Sequence, residues 1–176
     1  MTALAEPIPS FERRTWGRKS RLDQSSAALT KFADTAYPSN PEVAGYRESA
    51  WVESTQRQLE EIQALQDGWD GYRAGPIRRD VIHFAEAVLN QIMKPLTPAP
   101  HIAPMAHSGL MIEWHTNGVD LEIEIEHPGR LWVSFEDSRT QQENECGLTT
   151  DLSKLQGWVD EISRRHPGGS RLIAMK

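Results

Sequence analysis

Cysteine is almost absent from this chain of 176 residues, in which Cys146 is the only one. A single thiol excludes an internal disulfide framework and any zinc site that is built on several thiolates. No apolar run approaches the roughly 18 residues that a membrane-spanning helix requires. The residues after Met1 also lack the apolar segment that a secretory signal contains. We therefore expect a cytoplasmic protein with no membrane association.

Apolar residues and catalytic motifs are also scarce. Apolar residues make up 38% of the chain, below the usual globular share, so part of the chain is expected to lie outside the core. The net charge of -6 argues against nucleic-acid binding by the domain as a whole. The sequence contains no G-x-S-x-G, P-loop or G-x-G-x-x-G motif, and we predict no catalytic residue, no resident metal and no cofactor.

Basic residues are concentrated near the N-terminus. Residues 1–41 contain six Lys/Arg and four Asp/Glu, whereas the rest of the chain contains 13 and 21. Because this segment has four prolines and no apolar period, we predict a flexible basic arm. The arm either contacts phosphate or an acidic protein surface, or is a solvated tail. Its basic and aromatic patch comprises Arg13, Arg14, Trp16, Arg18, Lys19 and Arg21.

Residues 42–166 are predicted to form a single α+β domain, followed by a loose C-terminal tail at 167–176. Apolar residues recur every three or four positions in three segments, which indicates amphipathic helices at about 42–66, 78–93 and 150–166. Between the second and third helices the apolar period is two, which indicates strands. We predict an antiparallel meander of four to five strands with one face covered by the helices, two before and one after the sheet.

The pair Asn117–Gly118 is a strong signal for a two-residue hairpin turn. Counting outward from this turn places Thr116 opposite Val119 and then apolar residues opposite each other, in the pairs Trp114–Leu121, Ile112–Ile123 and Leu110–Ile125. The next turn, His127–Gly129, must contain an odd number of residues if the apolar sets of its strands are to share a face. We therefore predict a three-residue turn with Gly129 in the left-handed region.

The polar face of the predicted sheet, here called the outer face, is unusually acidic, and carboxylates directly opposite each other repel. Its predicted members are Glu113, His115, Asp120, Glu122, Glu124, Glu126 and Trp132, with Glu136 beside them. Four interpretations are open. The face docks a basic partner or mimics nucleic acid; it binds a divalent metal through Glu113, His115, Asp120 and Glu122; it is solvated; or the basic arm lies across it.

A glycine-rich loop, GWDGYRAGPI, joins the first two helices. We predict a structural role for its residues Gly68, Trp69, Asp70, Gly71 and Tyr72. The glycines permit turns that a Cβ would block, and Asp70 is placed to accept backbone N–H groups. The two aromatic residues are expected to anchor the loop at the end of the helix–sheet interface.

The loop and a later strand resemble a family of small, largely uncharacterised bacterial proteins. These proteins carry an L-x-x-L-x-x-x-W-D-G-Y-G-A-x-P segment between two helices, followed by an L-E-W strand. The matching residues are Leu65, Trp69, Asp70, Gly71, Tyr72, Ala74 and Pro76, then Ile112–Trp114 and Leu121–Ile125. The resemblance covers roughly residues 59–163 and departs at Arg73, where the family has glycine. It implies a shared α+β domain and brings no reaction, cofactor or catalytic residue.

Together these features predict a non-enzymatic protein-interaction or regulatory protein, antitoxin-like or defence-associated. Its expected partner is a protein, and a neighbouring gene is the first place to look for it. One alternative is a divalent-metal-dependent hydrolase or nuclease that uses the sheet carboxylates. Another is nucleic-acid binding through the basic arm. No oligomeric state is predicted.

Overall fold

A computed structural model describes residues 50–166, so the predicted arm at 1–41 and the tail at 167–176 lie outside the described residues. The elements in chain order are α1 Ala50–Gln63, α2 Arg79–Ile92, β1 His101–Pro104, β2 Leu110–Thr116, β3 Val119–His127, β4 Arg130–Asp137, β5 Gln142–Leu148 and α3 Ser153–Arg165. The five strands form one antiparallel sheet in the order β1-β2-β3-β4-β5. The predicted α+β fold is therefore confirmed. Within 50–166, no helix has the length and apolarity needed to cross a bilayer.

The helix ends follow the turn-forming residues around them. The sequence predicts α1 to continue to Gln66, but it ends at Gln63, because the chain then tightens into i→i+3 hydrogen bonds. Residues 42–49 of the predicted helix lie outside the described residues. α2 matches its predicted segment within one residue at each end. α3 begins where the Asp151 carboxylate accepts the Ser153 N–H at 2.9 Å, which satisfies a donor that the helix leaves unpaired.

The core lies between the three helices and the apolar face of the sheet. α2 and α3 bury Val81, Ile82, Phe84, Ala85, Val88, Leu89, Ile92, Leu155, Trp158, Val159 and Ile162. Opposite them, the inward residues of β2, β3 and β4 are almost completely buried. Phe135 of β4 stacks on Trp158 of α3 with ring centroids 4.8 Å apart. Each fully buried large aliphatic side chain contributes roughly 1.5–3 kcal/mol, so this interface holds the two layers together.

The β2–β3 hairpin has the predicted register, including Trp114 opposite Leu121 and Glu113 opposite Glu122. Asn117 and Gly118 form its turn with φ values of 53° and 77°, both in the left-handed region, as a type I′ turn requires. The register decides which side chains face the helices and which form the outer face.

The predicted three-residue turn between β3 and β4 is wrong. His127 pairs with Arg130, which leaves a two-residue turn, and the register shifts by one between Glu124 and His127. The extra residue is therefore taken up by a bulge in β3, and the bulge keeps the apolar sets on one face. Gly129 has φ of 82°, as predicted, and a proline before such a glycine suits a type II turn.

The loop after α1 is ordered by Asp70, as predicted, but Tyr72 is not an anchor. Asp70 Oδ1 accepts the N–H groups of Tyr72 at 2.9 Å and Ala74 at 3.1 Å, and these bonds lower the pKa of the Asp70 carboxyl. Trp69 packs against the core and donates its Nε1–H to the Gly75 carbonyl at 3.0 Å. Tyr72 is 87% exposed, because the turn held by Asp70 directs it to solvent.

A buried ion pair that the sequence analysis did not predict ties the end of α3 to the end of β4. Arg165 donates to both carboxylate oxygens of Asp137, at 2.9 and 2.5 Å, and to Glu161 Oε1 at 2.5 Å. Asp137 also accepts the Arg139 N–H and the Thr140 hydroxyl. The Arg165 guanidinium holds the pKa of Asp137 well below its usual range. The side chains of Asp137 and Arg165 are 4% and 9% exposed.

Candidate functional site

The outer face of the sheet carries the seven residues predicted for it. β2 contributes Glu113 and His115, β3 contributes the four acidic residues Asp120, Glu122, Glu124 and Glu126, and β4 contributes Trp132. Each is half-buried or exposed, while its neighbours on both sides along β2, β3 and β4 are mostly buried. All three described helices bury their apolar side chains in the core, so residues 50–166 leave this face open.

β5 widens the outer face beyond the predicted set. Glu143 lies opposite Glu136, and Glu145 lies opposite Ser134. The sequence predicts β5 but not its facing. Cys146 packs against the core, which turns the alternate residues of the strand outward. The alternation of Cys146 and Leu148 with polar residues was the available signal, although a weak one.

The charge of the outer face has almost a single sign. The five strands contain no lysine and one arginine, Arg130, at the start of β4. Apart from the buried Asp137, their carboxylates are Glu113, Asp120, Glu122, Glu124, Glu126, Glu136, Glu143 and Glu145. Because these residues follow the strand register, the repulsion between neighbours is fixed by the backbone.

Histidines offset the negative charge at one end of the face. His101 Nδ1 lies 2.7 Å from Glu113 Oε1, and His115 Nε2 lies 3.4 Å from Glu113 Oε2. His115 Nδ1 lies 2.7 Å from Asp120 Oδ1. The hydrogen bond with His101 lowers the pKa of Glu113, and the hydrogen bond with Asp120 raises the pKa of His115. This end therefore holds interleaved imidazole and carboxylate groups.

The other end of the face, around Glu124, has more carboxylates than histidines, and His107 Nε2 lies 3.2 Å from Glu126 Oε1. Burial, followed by the charge of Glu126, raises the pKa of Glu124 above its usual value. Trp132 lies directly opposite Glu124 and is 36% exposed, and its Nε1–H donates to Glu145 Oε1 at 3.0 Å. An exposed indole among crowded carboxylates is the type of residue that dominates protein-binding surfaces.

One group on the described part of the face has metal-ligand chemistry. Glu113, His115 and Glu122 each offer a ligand atom, and these atoms lie within 4.8 Å of one another. Asp120, which the sequence analysis also considered as a ligand, instead holds the second nitrogen of His115. The basic arm, with all six of its patch residues, lies outside the described residues.

Comparison of the chain with protein-family models, with curated proteins and with solved structures gave no match. The resemblance to the bacterial proteins with the WDGYGA-x-P segment therefore stays a prediction.

Proposed function

We propose that this protein is a non-enzymatic interaction or regulatory protein that binds a basic protein partner through its outer face. The role is antitoxin-like or defence-associated, the setting is cytoplasmic, and the partner is encoded by a neighbouring gene. The observation that carries the proposal is that nearly all charges on the face are negative. Four strands contribute eight carboxylates, and the only arginine in these strands, Arg130, lies next to a turn.

A face that served solubility alone would mix charges of both signs, as most protein surfaces do. Here carboxylates stand directly opposite each other, as in the pairs Glu113–Glu122 and Glu136–Glu143. Such pairs cost folding stability, and cations from a partner would relieve the repulsion. A field of one sign also steers an oppositely charged partner and speeds its association. Trp132 supplies an exposed apolar contact among these carboxylates.

Reversing charges at the end of the face that carries Glu124 tests this proposal. We expect Glu124→Lys/Glu126→Lys to weaken binding of the protein encoded by the neighbouring gene by about tenfold or more. Folding should be retained, because both positions lie on the outer face and a lysine at position 124 would be near the carboxylates of Glu122 and Glu145. The measurement is titration calorimetry of the purified pair over a series of salt concentrations, in which the wild-type affinity should fall as salt rises.

A matched control makes the same change of charge on the helical layer. Glu60 and Glu61 are exposed on α1, so Glu60→Lys/Glu61→Lys alters the net charge equally without touching the sheet. We expect this variant to bind the partner nearly as well as the wild type. Equal losses in the two double variants, an affinity that does not respond to salt, or no binding by the wild type would contradict the proposal.

A divalent-metal-dependent hydrolase or nuclease is the second candidate, and the group Glu113, His115 and Glu122 favours its metal-binding part. A nuclease also needs cationic groups that hold phosphate, and the described strands offer only Arg130, at a turn. Hydrolysis of a generic phosphodiester in the presence of Zn²⁺ or Mn²⁺, lost in Glu113→Gln, would favour this candidate over the interaction protein.

Nucleic-acid binding through the arm remains a separate proposal that rests on sequence alone. Its test is the salt dependence of duplex DNA binding by the full chain and by a chain that lacks residues 1–41. Each lysine or arginine that contacts a phosphate contributes nearly one unit to the salt slope. A slope that disappears with the arm would support this alternative.

A further inference from the structure

We infer that the histidine-bearing end of the outer face is a binding site for a divalent transition-metal ion, with Zn²⁺ as the ion that its donor set suits best. Its ligands are Glu113, His115 and Glu122, whose ligand atoms lie within 4.8 Å of one another. The site is independent of the proposed partner, because it needs no group from a second molecule to bind the ion.

The strand register places the three ligands on rigid backbone. Glu113 and His115 are two residues apart on β2 and therefore point to the same side, and Glu122 is the direct cross-strand partner of Glu113. Ligands on paired strands are held more accurately than ligands on loops. Three protein ligands on an open face leave a coordination position for water or a further ligand, as in zinc sites that are not closed.

The distance between two of the ligand atoms already fits a bound ion. His115 Nε2 and Glu113 Oε2 are 3.4 Å apart. Two ligands on a tetrahedral zinc ion, each bound at about 2.0–2.1 Å, are about 3.3–3.4 Å apart. The atoms of this pair are therefore spaced as two zinc ligands are, and the ligand atom of Glu122 lies within 4.8 Å of both.

Hydrogen bonding by Asp120 prepares His115 to act as a ligand. The Asp120 carboxylate accepts from His115 Nδ1 at 2.7 Å, so a metal ion that displaces the proton of Nε2 would find that lone pair 3.4 Å from Glu113 Oε2. A carboxylate on the distal nitrogen is also the usual second shell of a zinc-binding histidine.

His101 completes the second shell on the other side. Its Nδ1 lies 2.7 Å from Glu113 Oε1, which leaves Glu113 Oε2 as the oxygen that faces His115. Ligating carboxylates are commonly held by such hydrogen bonds. The donor set of one imidazole nitrogen and two carboxylate oxygens favours zinc over Mg²⁺ and Ca²⁺, which prefer oxygen ligands alone.

The test is titration calorimetry of the tag-free full chain with ZnCl₂, in the absence of any partner. We expect one equivalent of Zn²⁺ to bind, Mg²⁺ to fail to compete at a hundredfold excess, and the unfolding temperature to rise with zinc concentration. His115→Gln and Glu122→Gln should each weaken binding by at least about tenfold. Asp120→Asn should weaken it by about tenfold through the orientation of His115. Titration with Co²⁺ should give visible absorption bands that these variants change.

His107→Gln is the matched control, because His107 also pairs with a glutamate, Glu126, but lies outside the ligand group. Cys146→Ser is the second control and tests zinc capture by the thiol. Both should bind zinc as the wild type does. The inference is overturned if the wild type binds no zinc at 100-fold excess over protein, if His115→Gln and Glu122→Gln bind normally, or if either control loses binding equally. Circular dichroism without metal establishes that each variant is folded.

Discussion

Trp114→Ala should lower the free energy of unfolding by about 3–5 kcal/mol, because it removes a large buried side chain from the core face of the sheet. Trp114 is 3% exposed and faces the helices from β2. Its indole Nε1–H donates to the Pro98 carbonyl at 2.9 Å, so the substitution also leaves that acceptor without its partner. Chemical denaturation followed by circular dichroism measures the change.

Trp132→Ala is the matched control for that experiment. Trp132 belongs to the same sheet but lies on the outer face with 36% exposure, so its removal should cost about 1 kcal/mol or less. Trp114→Phe should give an intermediate loss, because the ring is smaller and the bond to Pro98 is gone. Equal losses at Trp114 and Trp132 would mean that the sheet does not separate a core face from an open face.

Arg165→Met should lower the unfolding temperature by several degrees, on the order of ten, because it leaves the Asp137 carboxylate buried without its cation. Arg164→Met is the matched control: the Arg164 side chain is 62% exposed and pairs only with Glu161 among the described residues. Arg164→Met should change the unfolding temperature little, because an exposed ion pair contributes little to stability. An equal fall in both variants would contradict the role of the buried pair.

The same pair predicts how stability depends on pH. Arg165 lowers the pKa of the Asp137 carboxyl in the folded protein. The contribution of Asp137 to stability is therefore fully present above the unfolded pKa of about 3.9 and is lost as the pH falls through the folded pKa. The difference in unfolding temperature between the wild type and Asp137→Asn should therefore be constant from pH 7 to about 5 and shrink toward pH 2. If the difference in unfolding temperature grew on acidification, the pKa of Asp137 would be raised in the folded protein and not lowered.

The parts of the fold that depend on residues close together in the sequence were predictable. Asn117–Gly118 determines its turn because few residues tolerate two successive left-handed conformations, and the turn determines the register of the outer face. The β3 bulge was not predictable, since a bulge and a longer turn preserve the same alternation. The exposure of Tyr72 was missed because aromatic character alone does not determine the direction of a side chain in a turn.

The contacts that join distant segments were harder to predict. Asp137 and Arg165 are 28 positions apart, and nothing local distinguishes this carboxylate from the many others in the chain. The acidic outer face was predictable because it follows from alternation alone. The grouping of His101 with Glu113 was not, since it depends on the pairing of β1 with β2 across a five-residue loop, and the sequence of that loop does not determine the register as Asn117–Gly118 does.

The order of strands in the sheet has a consequence for the folding pathway. Each strand pairs with the next one in the chain, and the closing loops contain two to five residues, so forming the sheet costs little loop entropy. The helices close much longer loops, as in the bond from Gln58 to the Pro100 carbonyl, 42 positions away. We expect the hairpins to form before the transition state and the helices to dock after it. Substitutions at Gly118 would then slow folding, whereas Arg165→Met would chiefly accelerate unfolding.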